Sequence, residues 1–403
     1  MMASERRRGG NMDLTAIQSA LREAKLDGWL FYDHHHRDPI AYRVLNINPV
    51  MCTRRWYYLI PKEGEPGKLV HRIEANNLAG LPGAQERYSS WREQREGLSR
   101  LLHGRERVAM QYSALNNIPY VGLVDAGTVE LVRSCGMEVV SSADLVQQFE
   151  ARWSEDQWQS HLAAGQVVHQ AVRTAFAAIR EAVGAGKEIS EYDVQQEMVR
   201  VFEGNGIIAD EPPCAAVNAN TANPHYSPSQ EASLPIRAGD FVLLDVWGKQ
   251  NKPGAVYFDI TWTGYVGERV PEQYVKVFEV VREARDAAIN LVQKSLQAGG
   301  ILHGYEVDDA AREVIDRHGY ANFFVHRTGH SIGEDVHGNG ANMDNFETHD
   351  ERRIIARTCF SIEPGIYLHE FGVRSEVNVF TGARNACVTG EIQKEIVPIL
   401  AAP

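Results

Sequence analysis

The chain has little cysteine and no cysteine spacing suited to a bridge or a metal knuckle. Cys52, Cys135, Cys214, Cys359 and Cys387 are odd in number, widely scattered and never in a Cys-x-x-Cys pair. That disfavours a disulfide framework and a zinc knuckle, and makes a reducing cytoplasm the expected setting. Long apolar runs are also missing, so no window meets the length a membrane span requires. The basic run Arg6, Arg7, Arg8 leads into Gly9, Gly10 and Asn11 instead of an apolar core, and does not read as a secretory signal. Positive charge is short overall: 41 Lys and Arg face 53 Asp and Glu, a formal charge of -12. Neither nucleic acid nor an anionic membrane is therefore expected as a partner.

What is present points to two domains, since 403 residues exceed the usual size of one. Apolar runs at 29–32 and 56–61, with shorter ones near Val108 and at 137–140, alternate with helical stretches at 91–102 and 143–149. This texture predicts a small α/β domain over 1–153. Ser154, Glu155 and Asp156 then give a helix-start signal, followed by apolar residues at helical spacing from Leu162 to Val183. The boundary is placed there, with a second domain over 154–403.

The second domain repeats itself. Ala185, Gly186, Tyr192, Val194 and Gly206 recur as Ala298, Gly299, Tyr305, Val307 and Gly319, each at an offset of 113 (298 − 185 and 319 − 206). Both copies read as long helix, glycine turn, shorter helix, glycine stop and apolar strand. Two copies are too few for a solenoid, so two similar halves about a pseudo-twofold axis are expected.

The acids follow the same pairing. Asp245 in FVLLDVWG and Asp259 in YFDIT follow the first copy, and Glu363 in FSIEPGIY and Glu376 in VRSEVNV follow the second, at spacings of 14 (259 − 245) and 13 (376 − 363). Taken singly, each acid is most plainly a surface-facing strand residue or a salt-bridge partner of Arg374. Taken together, four carboxylates in apolar strands carry a large desolvation cost that cations would offset. Two divalent ions would balance four carboxylates, and oxygen ligands with one imidazole suit manganese, cobalt or zinc. Histidines gather in the same region: His326, His330 and His337 lie inside HRTGHSIGEDVH, and His225 in NPHY. One would serve as a ligand and the others as oxyanion donors or proton carriers. Gly329 is expected to let the backbone approach the metals closely.

These motifs resemble those of the creatinase, aminopeptidase P and prolidase metallopeptidases, which share the pita-bread fold with methionine aminopeptidase. LLDVWG and YFDIT are similar to the first two ligand strands, RTGHSIGEDVH to the histidine motif, and SIEPGIY and GVRSE to the fourth and fifth ligands. The resemblance implies an α+β pita-bread catalytic domain behind a creatinase-like N-terminal domain. It makes Asp245 a terminal ligand, Asp259 and Glu376 bridges between two ions, and His330 and Glu363 the remaining ligands. A bridging hydroxide would attack the substrate, with Glu363 as general acid/base. His225 and His337 would steady the tetrahedral intermediate, His326 would carry protons further out, and Arg374 would be a charge behind the ligands. The chain departs from the family pattern at the Lys252, Pro253, Gly254 loop, at Trp262 where arginine is common, and at Val377 and Asn378 where an acid is common.

The implied substrate is an Xaa-Pro bond, which ordinary peptidases handle poorly because proline lacks an N–H. Dipeptidase activity on a proline-containing dipeptide or short peptide is the first expectation, and Xaa-Pro aminopeptidase the second. A metal-dependent lyase or hydrolase of a small non-peptide substrate, and an inactive binding module, remain open. Arg352 or Arg353 is a candidate for the substrate carboxylate, although each is more simply a solvated residue. His36 and Arg37, in the cluster His34 to Arg37, are a second candidate, lent by the partner in a homodimer; a solvated loop is the plainer account.

Overall fold

The computed structural model describes residues 12–401, so the Arg6 to Arg8 run lies outside the described residues. The chain divides into two compact units, Met1–Glu150 and Ala151–Pro403. The division falls three residues before Ser154 (154 − 151) because Trp153 packs with the second unit. Its ring lies 5.5 Å from Phe380 and 5.0 Å from His161, and its backbone N–H donates to the Arg357 carbonyl at 2.7 Å. Ser154 does open the helix Glu155–Gly184, through a capping box with Gln157.

The first unit is built on a six-stranded sheet in the order Ala84–Tyr88, Gly67–His71, Trp56–Pro61, Gly28–Asp33, Arg107–Met110, Glu138–Ser141. Trp56–Pro61 runs antiparallel to both neighbours, and every other pairing is parallel. Gly28–Asp33 is buried throughout, with Trp29 and Phe31 in one core and Leu30 and Tyr32 in the other. A strand covered on both faces reads as a continuous apolar run, which is why 29–32 is so legible in the sequence.

In the second unit the repeat is a repeat of structure. Helices Glu191–Gly204 and Gly304–Arg317 differ by 113 at both ends (304 − 191, 317 − 204), and each follows a long helix, Glu155–Gly184 or Glu272–Ala298. The turns use glycine where the backbone is left-handed: φ is 67° at Gly186 and 70° at Gly299. Each helix pair covers its own strands. Phe241–Gln250 and Phe258–Tyr265 pair antiparallel in the first half, and Cys359–Ile362 and Val377–Thr381 in the second. Among the described residues no helix is long and apolar enough to cross a membrane.

Strand register then sets the acids. Asp245 stands opposite Thr261 and Asp259 opposite Trp247, so the two aspartates are diagonal neighbours on one face of the hairpin. In the second half Ile362 pairs with Val377, leaving Glu363 and Glu376 where that ladder ends.

Candidate metal centre

Asp259, His330 and Glu376 come together: one ligand atom from each lies within 4.8 Å of the others, and all three residues are buried. His330 Nε2 is 3.4 Å from Asp259 Oδ2 and 3.4 Å from Glu363 Oε1. Its Nδ1 lies 3.2 Å from the Ser331 carbonyl and acts as the donor there, which leaves the Nε2 lone pair facing two carboxylates. Burial, against the pull of Glu363, holds this imidazole below its ordinary range, hence neutral. Three acceptors turned toward one another fit a cation between them.

The carboxylates meet the same test. Among the described residues, Asp259 Oδ1 and Glu376 Oε1 are buried and have no hydrogen-bond partner. Burial lifts the Asp259 carboxyl well above the carboxylate range, with Asp245 and Glu363 adding repulsion. Burial does the same to Glu376, with Asp259 and Glu363 adding to it. Orphaned buried oxygens on mutually repelling acids fit divalent cations, whose ligands are drawn from such oxygens and one imidazole.

The other two expected ligands, Asp245 and Glu363, stand at the margin. Asp245 is 20% exposed and bound by Arg374, whose terminal nitrogen lies 2.5 Å from Oδ2. Glu363 accepts from the Ser361 hydroxyl at 3.0 Å. Burial pushes its carboxyl up, but His330, His326 and Arg374 outweigh that and hold it low.

Four residues that complete this arrangement lie inside the quoted motifs without having been given a role there. The Thr261 hydroxyl lies 3.1 Å from Asp245 and 2.8 Å from Glu376, donating to one at a time, and it accepts from Arg374 Nε at 2.9 Å. Ser361 accepts from the His330 N–H at 2.9 Å while donating to Glu363. The Tyr367 hydroxyl lies 2.7 Å from His326 Nε2 and accepts from Arg374 at 3.0 Å. Asn378 binds the backbone of Asp259 with both ends of its amide. Thr261, Ser361 and Asn378 sit two positions from Asp259, Glu363 and Glu376, and strand periodicity places such residues on the same face as the acid. That signal was available.

Other expected residues fall differently. His326 reaches the centre only through Tyr367, its Nδ1 being held by the Arg327 carbonyl at 2.7 Å. The His337 ring stands edge-on to His330 at 4.4 Å. His225 is exposed on a turn, its N–H held by Asn223 at 3.1 Å. Arg352 is buried, neither solvated nor offered to a substrate: Nε and Nη2 grip both oxygens of Asp350 at 2.9 and 2.6 Å, and Nη1 donates to the Asn339 carbonyl at 2.8 Å. A bidentate pair of this kind leaves no free guanidinium edge. Arg353 is exposed and bridges His303 through its backbone. His36 and Arg37 lie on an exposed loop of the first unit, where His36 Nδ1 is 3.0 Å from the Tyr42 hydroxyl. Gly329 makes its close approach to a strand: an added Cβ would meet the Ser361 carbonyl oxygen at 1.9 Å. Trp262 turns away from the acids and lines a cavity of about 280 Å³ with Arg173 and Glu391. Lys252 and Pro253 are exposed between the strands Phe241–Gln250 and Phe258–Tyr265.

Two helix-and-sheet halves meeting at a carboxylate-rich centre define the pita-bread class of α+β proteins. Residues 159–382 match the model of metallopeptidase family M24, and the chain belongs to that family. Among its relatives, a putative Xaa-Pro aminopeptidase of Mycoplasma pneumoniae is 34% identical over 40% of this chain and 41% of its own length. An Xaa-Pro dipeptidase of Lactobacillus delbrueckii subsp. lactis is 30% identical over 53% and 52%. The chain thus spans about half the length of these curated relatives, or less. The crystal structure of dipeptidase PepE from Mycobacterium ulcerans matches 96% of this chain and 99% of its own, with TM-score 0.68 and 23% identity. An Xaa-Pro dipeptidase from Bacillus anthracis gives TM-score 0.62 at 21% identity, over 95% and 98%.

Proposed function

We propose that the chain is a metal-dependent hydrolase of Xaa-Pro bonds that uses two divalent ions, manganese, cobalt or zinc, and acts chiefly on dipeptides. The observation that carries this reading is the pair of buried, unpartnered oxygens on Asp259 and Glu376 beside a neutral imidazole. Asp259 and Glu376 would hold both ions, Asp245 would complete one site, and His330 and Glu363 the other. When bound, the ions would polarise the scissile carbonyl and lower the pKa of a water toward ~7.

The chain's own residues account for orientation and proton movement. Glu363 is held ionised, with the Arg374 guanidinium 4.0 Å away, and is oriented by Ser361, so it would begin as a base and return the proton to the departing proline nitrogen. Arg374 fixes Asp245 and Thr261, and through Tyr367 connects to His326, a route for protons out of the site. His337, packed on His330, would donate toward a developing oxyanion, and His225 would join it once substrate is bound.

Relatives named Xaa-Pro dipeptidase, and a solved dipeptidase that aligns with nearly the whole chain, favour the dipeptidase. The Mycoplasma relative, named a putative Xaa-Pro aminopeptidase, keeps that activity as the second reading. The deciding assay strips metal, restores manganese, cobalt or zinc, and compares Ala-Pro and Gly-Pro with longer Xaa-Pro peptides. Dipeptide turnover dominates if the reading holds; faster cleavage of the longer peptides would favour the aminopeptidase, and no turnover of either class would refute the peptidase.

A further inference from the structure

The first unit has a cavity of about 790 Å³ at one edge of its sheet, within the size range of small-molecule sites. Strand register explains its composition. Asp33 pairs with Trp56, Tyr57 with Leu69, and His71 with Tyr88, so the loop after Asp33, the residues before Trp56 and the ends at His71 and Tyr88 share that edge. It is the carboxyl end of the parallel strands, where open α/β sheets take their ligands.

Four guanidinium groups line it, those of Arg37, Arg54, Arg55 and Arg95. Asp125 is the single acid in the lining, and it is engaged by the Thr128 N–H and hydroxyl, both at 2.9 Å, and the Tyr32 hydroxyl at 3.1 Å. Two further acids nearby are occupied by backbone: Glu74 takes the Thr53 and Arg54 N–H groups at 3.0 Å each, and Glu93 closes a capping box with Ser90. Among the described residues, the ion pairs of this unit use Arg43, Lys62, Arg100 and Arg107 instead. Four guanidinium groups against one lining carboxylate leave a surplus of positive charge, which repels itself unless a ligand offsets it. In a chain of formal charge -12, such a cluster stands out.

The walls also offer ring faces and a fixed shape. Trp91 is 55% exposed, with Arg92 and Arg95 at 4.5 and 5.2 Å from its ring centre. The Tyr88 hydroxyl donates to the Arg55 carbonyl at 2.7 Å, fixing that backbone. Buried Asp33 accepts the N–H groups of His36, Arg37 and Asp38 at 3.1, 2.8 and 3.1 Å. It thereby holds His35 and His36 at φ of 62° and 57°, a conformation such residues seldom adopt, and presents Arg37 without a search.

Several guanidinium groups in a small volume match a ligand with several negative charges close together, as phosphate groups provide, and an exposed indole matches an aromatic base. A peptide with one terminal carboxylate would leave most of the cluster unbalanced. We propose that this cavity binds a nucleoside polyphosphate, with its phosphates on the arginines and its base against Trp91.

The test uses the full chain in its metal-loaded form, with isothermal titration of ADP, pyrophosphate and adenosine. ADP is expected to saturate one site per chain. Arg55→Gln and, at an exposed position where folding is not at issue, Arg95→Gln should each weaken it about tenfold, the loss of one charge-assisted contact. Trp91→Ala should weaken ADP about fivefold while leaving pyrophosphate unchanged. Lack of saturable ADP binding up to about 1 mM, or undiminished binding in both arginine variants, overturns the proposal. So does pyrophosphate binding as tightly as ADP, or a single-stranded oligonucleotide binding more tightly, which would point to an extended nucleic-acid surface.

Discussion

The side-chain amide of Asn378 clasps the backbone of Asp259: Oδ1 accepts the Asp259 N–H at 3.0 Å, and Nδ2 donates to the Asp259 carbonyl. The two residues come from opposite halves of the repeat, so the clasp sets strand Phe258–Tyr265 against strand Val377–Thr381. It also explains why an amide stands where an acid was expected, since a carboxylate accepts but does not donate.

Asn378→Asp would leave the Asp259 carbonyl unpaired and add a charge beside four acids. Divalent-metal affinity is expected to fall ~10–100-fold, and the fold to lose about 2 kcal/mol. Calorimetric metal titration with thermal unfolding checks both, and wild-type affinity in the variant would refute the clasp.

Asp259→Asn separates repulsion from ligation. Without metal, the variant should be more stable than the wild type by roughly 1–2 kcal/mol at pH 8, because one of several crowded charges is gone. Added manganese should then raise the melting temperature of the wild type alone. If metal stabilises both proteins equally, Asp259 is not a ligand.

Tyr367→Phe removes the hydroxyl between His326 and Arg374. A fall in kcat of about 10–100-fold, with KM and metal content near wild type, is expected of a proton route. An unchanged kcat would exclude that role.

His161 makes stability depend on pH away from the metal centre. It is fully buried, with Nδ1 2.7 Å from the Tyr257 carbonyl and Nε2 2.7 Å from the Thr389 hydroxyl, and burial holds its imidazole down to about 4. The folded value lies below the unfolded one of 6.5, so the unfolded chain binds the extra proton first. Stability from this residue is complete above pH 6.5 and lost as pH falls toward 4, by about 3 kcal/mol in all. Urea unfolding at pH 5 and pH 7 should show a smaller difference in His161→Gln than in the wild type.

Gly329→Ala would force a methyl group within 1.9 Å of the Ser361 carbonyl oxygen. A loss of about 3 kcal/mol, with weakened metal binding as His330 shifts, is the expected result. Normal stability and affinity would mean that the two strands separate more easily than their packing suggests.

Much of the site was legible because its signals are local. An acid inside an apolar strand is conspicuous without knowing its neighbours, and the offset of 113 survives because each helix and turn forms from residues close in sequence. Trp262 illustrates the limit: strand alternation assigns it to the face opposite Thr261, yet only the packed helix Glu155–Gly184 shows what that face meets. Arg352 is sharper still. Its charge suggested a substrate contact, and no local rule reveals that the fold buries it against Asp350 and the Asn339 carbonyl.

By itself, the sequence marked the buried acids and His330 as a candidate set, together with the two matched halves and the alternating architecture of the first unit, because desolvation and backbone geometry single out those positions one by one. Tertiary structure alone decided that Thr261, Ser361 and Asn378 bond the clustered acids and His330, that Arg374 joins Asp245, Thr261 and Tyr367 at once, and that four arginines line one edge of a sheet in an acidic chain. Those relationships depend on strand register and on which distant strands become neighbours, and such contacts form only when the whole core packs.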